Sequence, residues 1–304
     1  MPSTMHTPSS NPSGGVDRLT GLLRRFEVEV AFLDAVDPLA RPRHYGTSGP
    51  GSGAGHLHVL SRGVADVATD GAAPVRITGP SVLLLPRALP HRIAPVDAPA
   101  VTCASLRFAD GDAHPLVRAF PPSLVVATAD VPGIAPTLDL LRGEIERVRC
   151  GQPLVAGRLL EVVLLQLLRW AFDHPDRAGV ERGLVRGMAD PGVAAALTAL
   201  HDDPAQPWTL QRMARVAAMS RSGFAERFRS LVGETPASYL AGYRIALAQR
   251  RLLRGEPLAT IAAEVGYANG SGLSRAFTAR TGRSPSAWRA DAAVTGRPVG
   301  GAAP

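Results

Sequence analysis

Three histidines and one cysteine in the first half of the chain have the spacing of residues that could bind a ligand. His56 and His58 alternate along a predicted strand, so their side chains share one face of the sheet, and His91 and Cys103 follow on later strands. Zinc prefers imidazole and thiolate ligands, so a metal ion held by His56, His58 and His91, with or without Cys103, is one interpretation. The others are an organic effector pocket, a redox-sensing Cys103, and plain hydrogen-bonded strand residues.

Arginine is the second residue type with a chemical signature. The 304 residues include 33 basic residues, all of them arginine, and 26 acidic residues. Residues 1–200 contain 19 of each, whereas residues 201–304 contain 14 arginines and 7 acids, so the whole net charge of +7 lies in the final third. A neutral part joined to a basic part indicates contact with a polyanion, although biased codon usage would also raise the arginine count.

The basic third of the chain carries one short pattern twice. Its apolar stripe, turn, inward hydrophobic residues and Gly-x-Ser/Thr-Pro step recur at an offset of 48 residues before the turn and 49 after it. The copies begin near Met213 and Ile261, and Phe228 in the first corresponds to Phe277 in the second. Two helical units at this spacing predict a pair of helix-turn-helix motifs that bind one face of double-stranded DNA.

Helical geometry separates the inward residues of each predicted recognition helix from the outward ones. Ser220 is the expected N-cap of the first helix, and Asn269 or Ser271 that of the second. The outward candidates for DNA contact are Arg221, Ser222, Ala225, Glu226 and Arg229 in the first unit and Gly270, Ser271, Ser274 and Arg275 in the second. Arg275 is the best candidate for a bidentate contact with guanine, which separates bases by about 1–3 kcal/mol.

An uninterrupted helix is predicted over residues 236–254, between the two units. It carries leucines on one face and four arginines along its length, Arg244, Arg250, Arg251 and Arg254. Such a rigid spacer would place the two recognition helices in successive major-groove turns, roughly 34 Å apart.

Short extended segments without intervening helices fill the chain from His56 to Phe108. The predicted strands cover residues 56–60, 64–69, 75–77, 82–85, 91–94 and 101–108, with a hairpin turn at Asp70-Gly71. This pattern predicts a small antiparallel barrel with room for one small ligand. The fold class is therefore α+β, an N-terminal antiparallel β-barrel with a helical pair followed by an all-α domain.

Two helices are predicted between the barrel and the basic third. The first begins at Pro136 and places Leu138, Leu141, Ile145 and Val148 on one face. The second, about residues 154–172, is apolar around almost its whole circumference and therefore needs two partners. The pair forms the contact surface of a homodimer in one interpretation and a core layer under the barrel in the other.

Composition sets the expected domain boundaries. Residues 1–16 and 291–304 have the composition of disordered tails, residues 17–175 form the sensory and dimerisation domain, residues 176–189 a linker, and residues 190–290 the DNA-binding domain. Cys103 and Cys150 are too few for a disulfide framework, which favours the cytoplasm. No stretch is long and apolar enough to cross a membrane, so no membrane partner is expected.

These motifs resemble the AraC/XylS family of bacterial transcription regulators. The resemblance rests on Ile261-Ala262-x-x-Val265-Gly266-Tyr267, on Ser274-Arg275-x-Phe277 and on Gly282-x-Ser284-Pro285-x-x-Trp288-Arg289. The N-terminal part is similar to a cupin-type sensory domain, in His56-x-His58 and in Gly79, Pro86 and His91. The resemblance implies a homodimeric regulator, usually an activator, that binds DNA, RNA polymerase and a small-molecule effector.

Two other functions fit parts of the pattern. A cupin-type enzyme with an accessory nucleic-acid-binding domain is the first, but metal-binding cupins add a glutamate ligand, and none occurs between Glu29 and Glu144. A Ser-His-Asp or paired-carboxylate pattern is also lacking, so no enzymatic activity is expected. The second is an architectural DNA-binding protein whose barrel only dimerises, for which affinity would follow salt and ignore sequence.

Overall fold

The computed structural model describes residues 17–20, 23, 28–46, 54–69, 73–108 and 114–295. The predicted tail 1–16, the Asp70-Gly71 turn and residues 296–304 lie outside these ranges. The described strands are β1 (Val28–Val36), β2 (Arg43–Tyr45), β3 (Gly55–Thr69), β4 (Val75–Thr78), β5 (Ser81–Leu85), β6 (His91–Phe108) and β7 (Leu124–Ala127).

The strands form one antiparallel sheet with the order β1-β6-β3-β5-β7, in which β2 also pairs with β6 and β4 with β3. Four of the predicted short strands are in fact halves of two long ones, because β3 and β6 continue through their bends instead of ending there. The register of β3 on β6 shifts between Leu60 and Ala65, and Gly63 has a φ of +79° at this point. The bulges bend the strands without breaking the ladder.

Alternating residues place the two faces of the sheet in different environments. One face encloses an interior cluster that includes Leu60, Val67, Leu85, Ile93 and Cys103. The opposite face, with residues such as Leu57 and Leu106, packs against the helices that follow the sheet. This arrangement confirms the antiparallel cupin-like fold, and it directs His56 and His58 into the interior because they alternate with Leu57.

The described helices follow in chain order. They are α1 (Pro115–Ala119), α2 (Ile134–Glu146), α3 (Gln152–Asp173), α4 (Leu184–Ala189), α5 (Pro191–Asp202), α6 (Leu210–Val216), α7 (Arg221–Val232), α8 (Pro236–Leu253), α9 (Leu258–Glu264), α10 (Gly270–Thr281) and α11 (Pro285–Thr295). None of the helices within the described ranges is long and apolar enough to cross a membrane.

Helix α2 differs from its prediction at both ends. It begins at Ile134 after Gly133, which has a φ of +76°, and it ends at Glu146. Val148 therefore lies beyond the helix and is 84% exposed, so its predicted place on the buried face was wrong. Leu141 is buried as expected.

Helix α3 lies against both α2 and the sheet. A Cβ at Gly157 would be 3.3 Å from the carbonyl oxygen of Val30 on β1, so the glycine allows the helix to approach the strand closely. Leu160 and Leu167 are fully buried, but Val155 and Val162 are exposed. The protein therefore covers only one side of α3, although the opposite side of the helix is also apolar.

The segment predicted as a linker, residues 176–189, contains helix α4. Leu184, Val185 and Met188 of α4 are buried, and the backbone N–H of Gly183 donates to the carbonyl of Leu231 on α7 at 2.9 Å. The weak periodicity of a six-residue helix concealed it, since one and a half turns cannot show a repeating stripe. At the other end of the domain, α11 continues to Thr295, past the predicted boundary at residue 290.

Candidate nucleic-acid interface and the buried histidine cluster

The first helix-turn-helix unit consists of α6 and α7. Thr209 Oγ1 accepts the backbone N–H of Arg212 at 3.1 Å, and Ser220 Oγ accepts that of Gly223 at 3.2 Å, so Ser220 is the N-cap that the sequence predicted. Between the helices, Ala218 adopts a φ of 54°. These local features fix where α7 begins and how it leaves α6.

Helix α7 buries one side and exposes the other. Phe224 and Phe228 have no exposed surface, and their ring centroids are 5.5 Å apart. The opposite side carries the predicted contact residues, of which Arg221, Ser222, Glu226 and Arg229 are exposed and Ala225 is half-buried. The structure therefore presents all five at the surface of the first unit.

The second unit consists of α9 and α10 and repeats this design. Gly266, with a φ of +85°, makes the turn, and Asn269 Oδ1 accepts the backbone N–H of Gly272 at 2.8 Å. Asn269 rather than Ser271 is therefore the N-cap. Leu273 and Phe277 are fully buried beneath the helix. On the outer side, Ser271 and Arg275 are exposed, and Gly270 and Ser274 are half-buried.

Exposed arginines on the two recognition helices differ in what holds them. Within the described residues, no acidic side chain or hydrogen-bond acceptor pairs with the guanidinium group of Arg221, Arg229 or Arg275. Arg227 is also on α7, but its Nε donates to Asp190 Oδ2 at 2.9 Å, and Asp190 caps α5. Three cations thus remain available to an external anion, whereas Arg227 joins two helices of the protein.

The arginines of the joining helix α8 are partly engaged inside the protein. Arg244 donates from Nε to the carbonyl of Pro204 at 2.8 Å and from Nη2 to that of Gln206 at 2.9 Å, and burial lowers its pKa. Arg251 pairs with Glu256 at 3.0 Å. The sequence analysis placed Arg244 and Arg251 correctly on the helix, but residue type could not reveal that both bind the protein itself.

Each helix-turn-helix unit has a surface cleft, and the two clefts are bordered by residues at matching positions of the internal repeat. The first cleft, about 1110 Å³, is bordered by Leu210, Ala225, Thr235, Pro236 and Ala237, among others. The second, about 300 Å³, is bordered by Leu258, Ser274, Ser284, Pro285 and Ser286, which follow at offsets of 48 or 49 residues. In each cleft, one wall is the outward side of the recognition helix, so the internal repeat extends to the surface shape.

The three histidines and Cys103 lie together on the face of the sheet that encloses the interior cluster, beside Tyr45 of β2. His58 Nδ1 lies 3.0 Å from Cys103 Sγ, and His58 Nε2 lies 2.8 Å from His91 Nε2. Tyr45 Oη is 3.1 Å from Cys103 Sγ. The sequence brought four of these five residues together correctly but missed Tyr45, because β2 was not predicted as a strand.

Hydrogen bonding determines the protonation of the two central rings. His91 Nδ1 lies 2.9 Å from the carbonyl oxygen of Leu89 and must donate to it, since a carbonyl only accepts. The Nε2 of a neutral His91 then accepts from His58 Nε2–H, which leaves the lone pair of His58 Nδ1 facing the Cys103 thiol. Burial lowers the pKa of His58 and of His91 and raises the pKa of Cys103, so the neutral arrangement is favoured.

His56 is the unusual member of the cluster. It is fully buried, and neither of its ring nitrogens has a hydrogen-bond partner among the described residues. Burial, together with the neighbouring His91, lowers the pKa of His56 to about 4. A buried polar group without a partner costs about 1–3 kcal/mol, so this ring is the place in the cluster where an external polar group would be most favourable.

The metal site on His56, His58 and His91 stays a prediction. Within the described ranges, no group of three or more His, Cys, Asp or Glu side chains is arranged to hold a metal ion. The reason is that the Nε2 atoms of His58 and His91 point at one another across 2.8 Å and not at a common third point.

Comparison with known proteins agrees with this architecture. Residues 17–173 match the family described as cupin, and residues 213–291 match the family described as helix-turn-helix domain. An AraC-like transcription regulator of Streptomyces antibioticus is 46% identical over 138 residues, which cover 45% of each chain. Because a cupin domain is followed by a helix-turn-helix domain and the chain is similar to an AraC-like regulator, the chain belongs to the AraC/XylS family.

Two further similarities extend over more of the chain. The RCS-specific transcriptional activator RclR of Escherichia coli is 25% identical over 250 residues, covering 78% of this chain and 86% of that protein. A structure of fatty-acid-bound ToxT from Vibrio cholerae is 13% identical, with a TM-score of 0.36 and coverage of 87% and 94%. The chain spans about half the length of the first curated relatives that it matches, at 45% and 56%.

Proposed function

We propose that the protein is a sequence-specific DNA-binding transcription regulator, acting as an activator that also contacts RNA polymerase. The observation that carries the proposal is the pair of capped recognition helices whose outward arginines Arg221, Arg229 and Arg275 have no partner within the described part of the chain. Positively charged side chains on two such helices suit the phosphates and guanine edges of adjacent major grooves. Activation is supported by the name of the Escherichia coli relative.

The experiment is selection of bound fragments from a genomic DNA library at physiological salt, followed by sequencing. A shared motif with two half-elements about one helical turn apart supports the proposal. An Arg275→Ala variant should lose base discrimination in this selection. Its matched control is Arg92→Ala, because Arg92 is an exposed arginine on β6. Uniform retention of all fragments would contradict sequence-specific regulation and favour an architectural DNA-binding protein.

The sensory part of the proposal concerns the histidine cluster. We infer that a small polar effector or an oxidant acts at His56, His58, His91 and Cys103, supported by the unpartnered ring nitrogens of His56. A thermal-shift screen of small polar metabolites would identify a compound that stabilises the wild type but not His56→Phe. His44→Phe is the matched control, since His44 is exposed. A compound that stabilises all three proteins equally would bind elsewhere.

Two free cysteines, one buried and one exposed, are consistent with the cytoplasm as the place of action.

We also infer a homodimer formed through α2 and α3. Leu159, half-buried, and Val155 and Val162, both exposed, follow one another at helical spacing on the uncovered side of α3. An isologous interface in a dimer with twofold symmetry would bury this stripe against its own copy.

A further inference from the structure

Two arginines connect the second helix-turn-helix unit to the rest of the DNA-binding domain. Neither of them is among the outward residues of a recognition helix. Arg280 is on α10, and its Nη1 donates to Ser238 Oγ at 3.2 Å and to the Ser238 carbonyl at 3.4 Å. Its Nη2 lies 3.6 Å from Glu234 Oε2. Ser238 is on α8, and Glu234 lies two residues before the first residue of that helix, so Arg280 connects the second recognition helix to the start of the joining helix.

The internal repeat shows that this contact is specific to the second unit. At an offset of 49 residues, the first-unit equivalent of Arg280 is Leu231, which is a buried core residue of α7. The position lies on the inner side of α7 in the first unit, whereas Arg280 is exposed in the second unit. In the first unit it fills the core, and in the second it carries a cation that reaches across to α8.

Gly242 provides the space for this contact. A Cβ on Gly242 would lie 2.6 Å from Arg280 Nη2 and 3.0 Å from its Cζ, which is closer than real Cβ contacts. The guanidinium group thus lies directly against the backbone of α8. Any side chain at position 242 would displace it.

Arg244 makes the second connection, two residues further along α8. Besides its bonds to the carbonyls of Pro204 and Gln206, its guanidinium lies 5.7 Å from the ring centroid of Tyr267. It also packs against Gly266, whose Cβ would be 2.5 Å from Nη2. The loop before the first unit and the turn of the second unit are therefore held by one side chain.

We propose that Arg244 and Arg280 are positioning residues that fix the second recognition helix relative to the first and so determine which spacing of DNA half-elements the protein accepts. The inference rests on the proposed DNA-binding function. Both arginines act through α8, which begins directly after the first unit and carries both contacts. When two binding modules are held rigidly, their joint affinity depends on the match between module spacing and site spacing.

The test uses the full chain and a series of duplexes that carry the two selected half-elements with base pairs added or removed between them. Arg280→Met keeps the apolar stem of the side chain and removes its donors, and Gly242→Ala displaces the guanidinium. Arg254→Met is the matched control, because Arg254 is an exposed arginine at the C-cap of α8 and not on α10. Dissociation constants are measured by fluorescence anisotropy, and folding is checked by circular dichroism.

The wild type is expected to bind best at one spacing and to lose about tenfold or more when the spacing changes by a few base pairs. Arg280→Met and Gly242→Ala should bind that spacing less tightly, show a flatter dependence on spacing, and bind a single half-element as the wild type does. An unchanged spacing profile in both variants, or an equal loss on single and paired half-elements, would overturn the positioning role. A wild type that ignores half-element sequence would instead overturn the proposed function.

Discussion

The Nε2 atoms of His58 and His91 lie 2.8 Å apart in the sheet interior, where both side chains are buried. One proton lies between the two nitrogens, and the carbonyl of Leu89 determines on which side it is held. A second proton on this pair would put a positive charge among hydrophobic residues and a neighbouring imidazole. The cluster is therefore stable only while its rings are neutral.

Acidification should destabilise the folded protein through these rings. Burial lowers the folded-state pKa of His56 to about 4 and lowers those of His58 and His91. Unfolded histidines take up protons near pH 6.5, so between about pH 6.5 and 4 the unfolded chain binds more protons and the free energy of unfolding falls as the pH falls. Urea unfolding at several pH values should show this trend, with a weaker dependence for His56→Gln. His44→Gln is the control, and equal dependence in all three proteins would contradict the prediction.

Replacement of Arg275 should affect base discrimination more than general affinity. Arg275→Ala removes the predicted bidentate donor, and the expected loss in discrimination at one base pair is about 1–3 kcal/mol. Competition binding with operators changed at single positions measures it. Arg227→Ala is the matched control, since Arg227 is also on a recognition helix but pairs with Asp190. Parallel loss on every DNA sequence would mean that Arg275 contacts phosphate instead.

Two glycines with similar backbone conformations should respond differently to alanine. Gly255 and Gly266 have φ values of +80° and +85°, but nothing lies near a Cβ on Gly255, whereas one on Gly266 meets Arg244 and the Ala205 carbonyl. Gly255→Ala should cost about 1–2 kcal/mol from the left-handed conformation alone. Gly266→Ala should cost more. Urea unfolding of both variants gives the difference, and equal losses would show that Arg244 and the Ala205 carbonyl both move away without cost.

The proposed dimer can be broken at one position on α3. Val162→Asp places a charge on the exposed apolar stripe and should convert the protein to a monomer in sedimentation velocity, because an interface cannot bury an unpaired carboxylate without a large cost. Val75→Asp is the control, as Val75 is an exposed valine on β4. A Val162→Asp protein that sediments like the wild type would place the interface elsewhere.

Local signals explain which parts of the fold were predictable. The caps at Ser220 and Asn269 and the inward residues Phe224 and Phe277 follow from short-range chemistry and helical period, and the structure confirms them. The merging of short strands into β3 and β6 was missed, because a bulge lets a strand pass through residues that normally end one. Helix α4 was missed because its six residues make too few turns to show a repeating apolar stripe.

The candidate sites divide in the same way. The sequence brought His56, His58, His91 and Cys103 together but could not give the direction of each nitrogen, on which the metal interpretation depended. The outward residues of the recognition helices were placed correctly at the surface, and their contacts with DNA stay a prediction. The internal bonds of Arg244 and Arg280 could not be foreseen, because an arginine on a basic helix has the same sequence signature whether it binds DNA or protein.

Because Leu231 and Arg280 stand at matched positions, the two copies are not interchangeable. A chimera with the first copy in both places would lack the cation that reaches α8, and one with the second copy in both places would put an arginine into the core of α7. At this position the first unit contributes a core residue, and the second unit contributes a cation that contacts α8. Such asymmetry gives the DNA-binding domain a direction, so it would distinguish the two ends of its binding site.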